Sequence, residues 1–237
     1  MRRRPFGTAL VLCMCWASAA RAGALGINPV RLTLEPGRAT GALTVRNDSA
    51  EPTVVQIEVT RWSQPDGTEQ LQPTRELLAT PPIFDLAPGA TQVVRVGLRG
   101  SVPEERRERA YRLLLKEVPP APGSAAKGVQ IALNISLPVF VLPAGPALPA
   151  VSLRWQARRI DGGLWLRADN DGPVHVQVNG LSLASAGRLP RFTPGYLLPG
   201  AHREWQVRQE AAAGSALPLV AHTDAGDLAA QVLVGAP

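Results

Sequence analysis

The chain is 237 residues long and holds 25 Lys and Arg, 19 Asp and Glu, 23 Pro and two Cys. Four of the basic residues, none of the acidic ones and both cysteines, Cys13 and Cys15, fall within the first 22 positions, so the rest carries a balance of only +2. That balance, with no basic run interleaved with aromatics, excludes nucleic acid as the expected partner, and a thiol-free remainder excludes disulfides, redox motifs and cysteine metal ligands.

Met1–Ala22 reads as an export signal: Arg2, Arg3 and Arg4 open it, Thr8–Ala20 is an uncharged apolar run, and Ala20-Arg21-Ala22 is a small-residue cleavage site. The apolar run is shorter than the roughly 20 residues that span a bilayer. Leu12 before Cys13, where a small residue is wanted, argues against a lipoprotein. The expectation is a mature chain starting at Gly23 outside the cytoplasm, with no membrane insertion after signal removal.

Short alternating segments separated by turn residues follow, the pattern of an all-β chain. Pro29–Leu34 sets Val30, Leu32 and Leu34 against Arg31 and Thr33; Gly41–Arg46 alternates similarly, and Asn47-Asp48-Ser49 supplies turn chemistry and a formal glycosylation sequon. Thr53–Trp62 is closed by Pro65-Asp66-Gly67. Pro81–Leu86 and Thr91–Leu98 flank Pro88-Gly89, where Pro presets φ and Gly accepts φ > 0, as a type II turn requires. After them come Glu104–Arg109 (EERRER), a charge run read as a solvated loop or a helical turn, and Tyr111–Val118, a further strand.

After a Pro/Ala/Gly/Ser connection, Val129–Leu137 (VQIALNISL) puts Val129, Ile131, Leu133, Ile135 and Leu137 on one face and polar or small residues on the other. It carries no charge and runs into Pro138, which has no N–H for a ladder. Such a strand is either an ordinary core strand or an unprotected edge offered to another chain, and an edge of this kind should dimerise when free or be capped by Gly23–Ile27. Leu142–Pro149 reads as a stiff linker. Beyond it come Val151–Arg158, Gly163–Ala168, Val174–Val178, Leu181–Leu183, Glu204–Val207, Leu217–His222 and Ala229–Val234, with Leu198-Pro199-Gly200 repeating the punctuation of Ala87-Pro88-Gly89. The expected organisation is a signal over 1–22, one immunoglobulin-like sandwich over 23–143 and a second over 144–237.

Chemistry is scarce: G-x-S-x-G, a glycine-rich phosphate loop and H-E-x-x-H are all missing from the sequence, so no enzyme and no cofactor are expected. A metal would need His175, His202 and His222 to converge, and their spacing matches no ligand motif. A carbohydrate- or surface-binding sandwich is the alternative, but Trp62, Trp155, Trp165 and Trp205 are scattered.

In order, NPVRLTL (Asn28–Leu34), VRNDS (Val45–Ser49), TPPIFDLAPGATQVVRV (Thr80–Val96), YRLLLKEVP (Tyr111–Pro119) and QIALNISLPVFVLP (Gln130–Pro143) resemble the periplasmic pilus-assembly chaperones of the chaperone–usher pathway. DNDGPVHVQVNGLSL (Asp169–Leu183) and YLLPGAHREW (Tyr196–Trp205) are similar to their second domain. The resemblance implies two immunoglobulin-like domains in a boomerang arrangement that bind pilus subunits by donor-strand complementation and pass them to an outer-membrane usher. It places the donor strand on Val129–Leu137. It also implies an anchor for the subunit's C-terminal carboxylate, which falls on Arg31. The family's second cation, a Lys, matches Pro138 here, leaving Arg95, Arg112 and Lys116 as substitutes. Glu108 and Asp224 match the acidic members of an interdomain network whose basic position holds Leu142. The SLPVFVLP ending resembles the divergent branch serving spore-coat-U-like subunits.

Overall fold

The structure, a computed structural model, describes residues 25–100, 106–119, 131–144, 151–160, 163–184, 187–189, 192–207 and 211–235. The signal, Val129 and most of the two connections lie outside the described residues. The N-terminal unit runs β1 (Leu25–Asn28), β2 (Leu32–Leu34), β3 (Thr40–Asn47), β4 (Thr53–Ser63), β5 (Gln70–Pro73), β6 (Leu77–Thr80), β7 (Ile83–Leu86), β8 (Thr91–Leu98), β9 (Arg109–Val118) and β10 (Asn134–Val141). One sheet has the order β1-β3-β8-β6; the other is β2-β10-β9-β4-β5, with β7 on β4. Their inward rows meet in one core, with Leu43, Val45, Val94 and Val96 from the first sheet and Val55, Leu113, Leu115 and Val139 from the second. Each such side chain contributes about 1.5–3 kcal/mol on full burial.

Three expectations change. The strand expected over Pro29–Leu34 shortens to β2, which crosses to pair β10 in parallel, and an unexpected strand ahead of it, β1, pairs β3 antiparallel. Leu25–Ile27 therefore lies in the four-stranded sheet and does not cap β10. The strand expected to end at Leu137 instead begins at Asn134 and runs through Pro138 to Val141. Pro138 does not interrupt it, because its N side faces away from β9, where no ladder bond is needed. Arg106–Glu108 is irregular and Arg109 opens β9, so the described part of the charge run is not helical.

The C-terminal unit comprises β11 (Leu153–Ile160), β12 (Gly163–Asn170), β13 (Val176–Leu183), β14 (Gly187–Arg188), β15 (Gly195–Leu197), β16 (His202–Val207), β17 (Ala216–Thr223) and β18 (Gly226–Gly235). Its strands follow the order β14-β13-β17-β18-β11-β12-β16, with β15 on β13. A short parallel contact, Ala157 to Val234 and Arg158 to Gly235, joins the halves, so the sheet closes around Leu164, Leu166, Val178, Leu181 and Leu219.

Both units use the same device at a strand end. Gly89 and Gly200 take φ of 72° and 79° after their prolines, the left-handed conformation Gly adopts readily. Asn47 Nδ2 donates to the carbonyls of Glu51 at 2.8 Å and Leu86 at 3.0 Å, and Asn170 Nδ2 donates to those of Val174 at 2.8 Å and Leu197 at 2.9 Å. The turn closes on the same residues, with Gly89 N–H donating to Asn47 O at 2.9 Å and Gly200 N–H to Asn170 O at 2.8 Å. Asn47 is fully buried, so the formal sequon is a structural latch.

Candidate functional site

β10 is flanked on both sides at one end and on one side at the other. β9 pairs it from Asn134 to Val141, whereas β2 reaches only Val139–Val141. Glu117 N–H donates to Leu133 O at 2.8 Å, so by antiparallel alternation the main-chain groups of Ile135 and Leu137 also face β9 and those of Asn134 and Ser136 face outward. Among the described residues no strand takes that side. The row expected from the sequence is present from Ile131 onward, graded in burial: Val139 and Leu137 are buried, Ile135 and Leu133 are half-buried, and Ile131 is 69% exposed. Ladder pairing stops at Leu133, whose N–H goes to Glu117 Oε2 at 3.1 Å.

The outward face of the same sheet meets the second unit. Trp62 of β4, Ala110 of β9 and Phe140 of β10 pack against Leu198 and Ala201. Gln64 bridges the units twice, donating to Tyr196 O at 3.0 Å and accepting from Leu198 N–H at 2.9 Å. His175 stacks on Phe140, with ring centroids 3.5 Å apart and an interplanar angle of 8°. Its Nδ1 lies 2.8 and 2.9 Å from the two oxygens of Glu108, whose side chain is wholly buried. Its Nε2 lies 3.7 Å from Asp224 Oδ2, and that oxygen accepts from Arg31 Nη1 at 2.7 Å. Asp224 Oδ1 accepts from Gln177 N–H at 2.9 Å.

Arg31, Glu108 and Asp224, matched separately from the sequence, are thus brought together around His175. His175 was weighed in the sequence only as a metal ligand. Its neighbour Val176 points into the second core and Val174 is buried, while His175, just before β13, meets Phe140 and Glu108 of the other unit.

Arg112 occupies the other side of the aromatic cluster. It pairs with Pro138 on one flank and Thr60 on the other, so its side chain emerges beside the position that lacks the family's Lys. The guanidinium lies 3.7 Å from the Trp62 ring centroid and donates to Glu69 Oε1 at 3.4 Å. Burial lowers its pKa, opposed by Glu69, but a guanidinium stays charged at any physiological pH. Thr60 Oγ1 and Trp62 Nε1, next to it, are buried without a hydrogen-bond partner. A cavity of about 720 Å³ opens here, lined by Gln64, Glu69, Arg112, Tyr196, His202 and Arg203 among others.

The remaining candidates lie elsewhere. Lys116 is further along β9, opposite Asn134, and pairs with Glu58. Arg95 is exposed on β8, in the four-stranded sheet, and is not brought to the junction. The three histidines are distributed over the junction, the cavity wall and β17, where His222 bonds Ser182 and Asp227. Among the described residues no three His, Cys, Asp or Glu group to hold a metal ion.

Residues 24–147 match the family described as pili and flagellar-assembly chaperone, PapD N-terminal domain. Chaperone protein PapD of Escherichia coli is 28% identical over 169 residues, which span 67% of this chain and 65% of that protein. Chaperone protein LpfB of Salmonella typhimurium is 32% identical over 141 residues, spanning 58% and 57% respectively. A chain of the CsuC–CsuE chaperone–tip adhesion subunit pre-assembly complex, from the archaic chaperone-usher Csu pili of Acinetobacter baumannii, superposes with a TM-score of 0.70 at 21% identity, covering 89% of this chain and 99% of that one. This likeness establishes the fold class: all-β, two immunoglobulin-like sandwiches in a boomerang arrangement.

Proposed function

Because the chain belongs to the pili and flagellar-assembly chaperone family, we propose that it is a periplasmic chaperone that captures pilus subunits on β10 and delivers them to an outer-membrane usher. The observation that carries this reading is the apolar row that leaves the protein's own core at Leu137 of β10 and reaches solvent at Ile131 just ahead of that strand, with no described strand on the outward main chain of Asn134 and Ser136. A subunit lacking one strand would bond to those main-chain groups and accept Leu133 and Ile131 into its groove. Each buried aliphatic side chain would contribute about 1.5–3 kcal/mol, less the cost of ordering both partners. The likeness to the archaic complex and the SLPVFVLP ending favour a spore-coat-U-like subunit as client.

Arg31 serves as carboxylate anchor, with Arg112 as the second cation in place of the missing Lys. A guanidinium suits this task because its fork matches both carboxylate oxygens. Ile131→Asp with Leu133→Asp places two charges where the subunit groove closes, and the protein's own core begins beyond them. The double variant should fold normally and lose co-purification of its subunit from periplasmic extract. Retained capture would remove β10 from the site. Arg112→Ala in the same assay should weaken capture by about 2–5 kcal/mol, the cost of unpairing a desolvated charge; unchanged capture would leave Arg31 alone as anchor.

A further inference from the structure

Asp224 meets Arg31 through one oxygen and one guanidinium nitrogen, Oδ2 to Nη1 at 2.7 Å, and the Arg31 side chain is 42% exposed. It is not free to drift when that contact is lost, since its Oδ1 is held by the Gln177 N–H at 2.9 Å. The same Oδ2 faces His175 Nε2 at 3.7 Å, just outside hydrogen-bond reach. With Nδ1 already on Glu108, both ring nitrogens of His175 point at carboxylates, an arrangement that only the doubly protonated ring can satisfy with two donated bonds.

We propose that Asp224 is a resident surrogate for the client's carboxylate: it holds Arg31 while the cleft is empty, and a chain-terminal carboxylate arriving on Arg31 transfers Asp224 to His175. The inference rests on the reading of Arg31 as anchor. Its consequence is a link between capture and the domain junction. His175 is stacked on Phe140, and Phe140 belongs to the strand that pairs with the client. The charged groups around His175 are Glu108 before β9, Asp224 at the β17–β18 turn and, through Asp224, Arg31 before β2. Tyr196 of β15 faces the ring at 5.7 Å.

The test uses the full mature chain, with the pilus subunit that co-purifies with it as probe. Asp224→Asn removes a competing ion pair from Arg31, so affinity for the subunit should rise on the order of two- to fivefold, the factor a partly exposed pair is worth. The gain should vanish in the Arg31→Gln background, since competition acts through that guanidinium. Equal or weaker binding by Asp224→Asn would overturn the inference and assign Asp224 to positioning Arg31. If Arg31→Gln alone leaves capture unchanged, both the anchor reading and this inference fail; if it weakens capture while Asp224→Asn brings no gain, only the inference fails. A wild-type readout guards against misfolded variants: the ¹⁵N resonance of His175 Nε2 should move to its hydrogen-bonded range when subunit binds. An unmoved resonance also overturns the proposal.

Discussion

Glu76 sits in the turn between β5 and β6, where its carboxylate accepts from the Tyr111 hydroxyl at 2.6 Å and from Arg61 at 3.0 Å and Arg109 at 3.3 Å. The Tyr111 bond is the largest cause of its lowered pKa, with both arginines adding and burial opposing. Tyr111 is itself pushed up to about 12, first by burial and then by the Glu76 bond. The signs follow from linkage. A depressed carboxylate stabilises above its unfolded value near 4.5 and ceases to as pH falls through the folded value. A raised phenol stabilises fully below 10, and this is lost as pH climbs toward 12. Glu76→Gln should therefore melt earlier than wild type at pH 7, with the gap narrowing below pH 4.5, and Tyr111→Phe should cost about 1–2 kcal/mol while flattening the alkaline limb. A pH series of thermal melts decides, and a gap independent of pH would remove Glu76 from the account. None of this hub was visible in the sequence, because the four residues are brought together by pairing across β4, β9 and the turn.

At the scale of an element, β10 shows what periodicity can and cannot tell. Alternation identified the row and its phase, and four of the five named residues lie on it among the described residues. It could not locate where the row passes from this protein's core to open solvent, because that depends on how far β2 reaches along the neighbouring side. The same limit hid β5 and β14: QLQP is exposed throughout and Gly187–Arg188 is only two residues long, so neither carries an apolar signal. The gradient makes a graded prediction. Ile131→Asp should shift stability by less than about 0.5 kcal/mol, whereas Leu137→Asp, 7% exposed and packed in the core, should cost more than about 3 kcal/mol. Urea titrations check it; equal costs would mean that the row is uniformly core.

Taken whole, the molecule was legible as two sandwiches with proline–glycine punctuation, but the junction was not. Joining Glu108 to Asp224 required a third group, and the sequence offered Leu142 where a cation was wanted; the structure fills that role with His175, just before β13, and Arg31, just before β2. Phe140 and Trp62 are buried on the outward face of the first unit's sheet, where they pack against Leu198 and Ala201 of the other unit. The open side of β10 should also govern association. The mature protein without a client should form a concentration-dependent dimer by light scattering, since its edge bears no charge and its N-terminal strand is engaged elsewhere. Ile131→Asp should return it to a monomer, and a wild type monomeric at high concentration would show that the edge is inert.

The paired latches of Asn47 and Asn170 bear on chemical ageing. Asparagine followed by a small or acidic residue deamidates when its amide can swing onto the next backbone nitrogen, and such residues are among those depleted in heat-adapted proteins. Here Asp48 and Asp171 follow, but each amide is pinned by two carbonyls and buried. Folding therefore holds both amides away from that reaction. In a copy that lingers open the amides are free to cyclise and open to aspartate or isoaspartate, whose charge cannot re-enter either latch, so delay in folding would leave a permanent covalent mark.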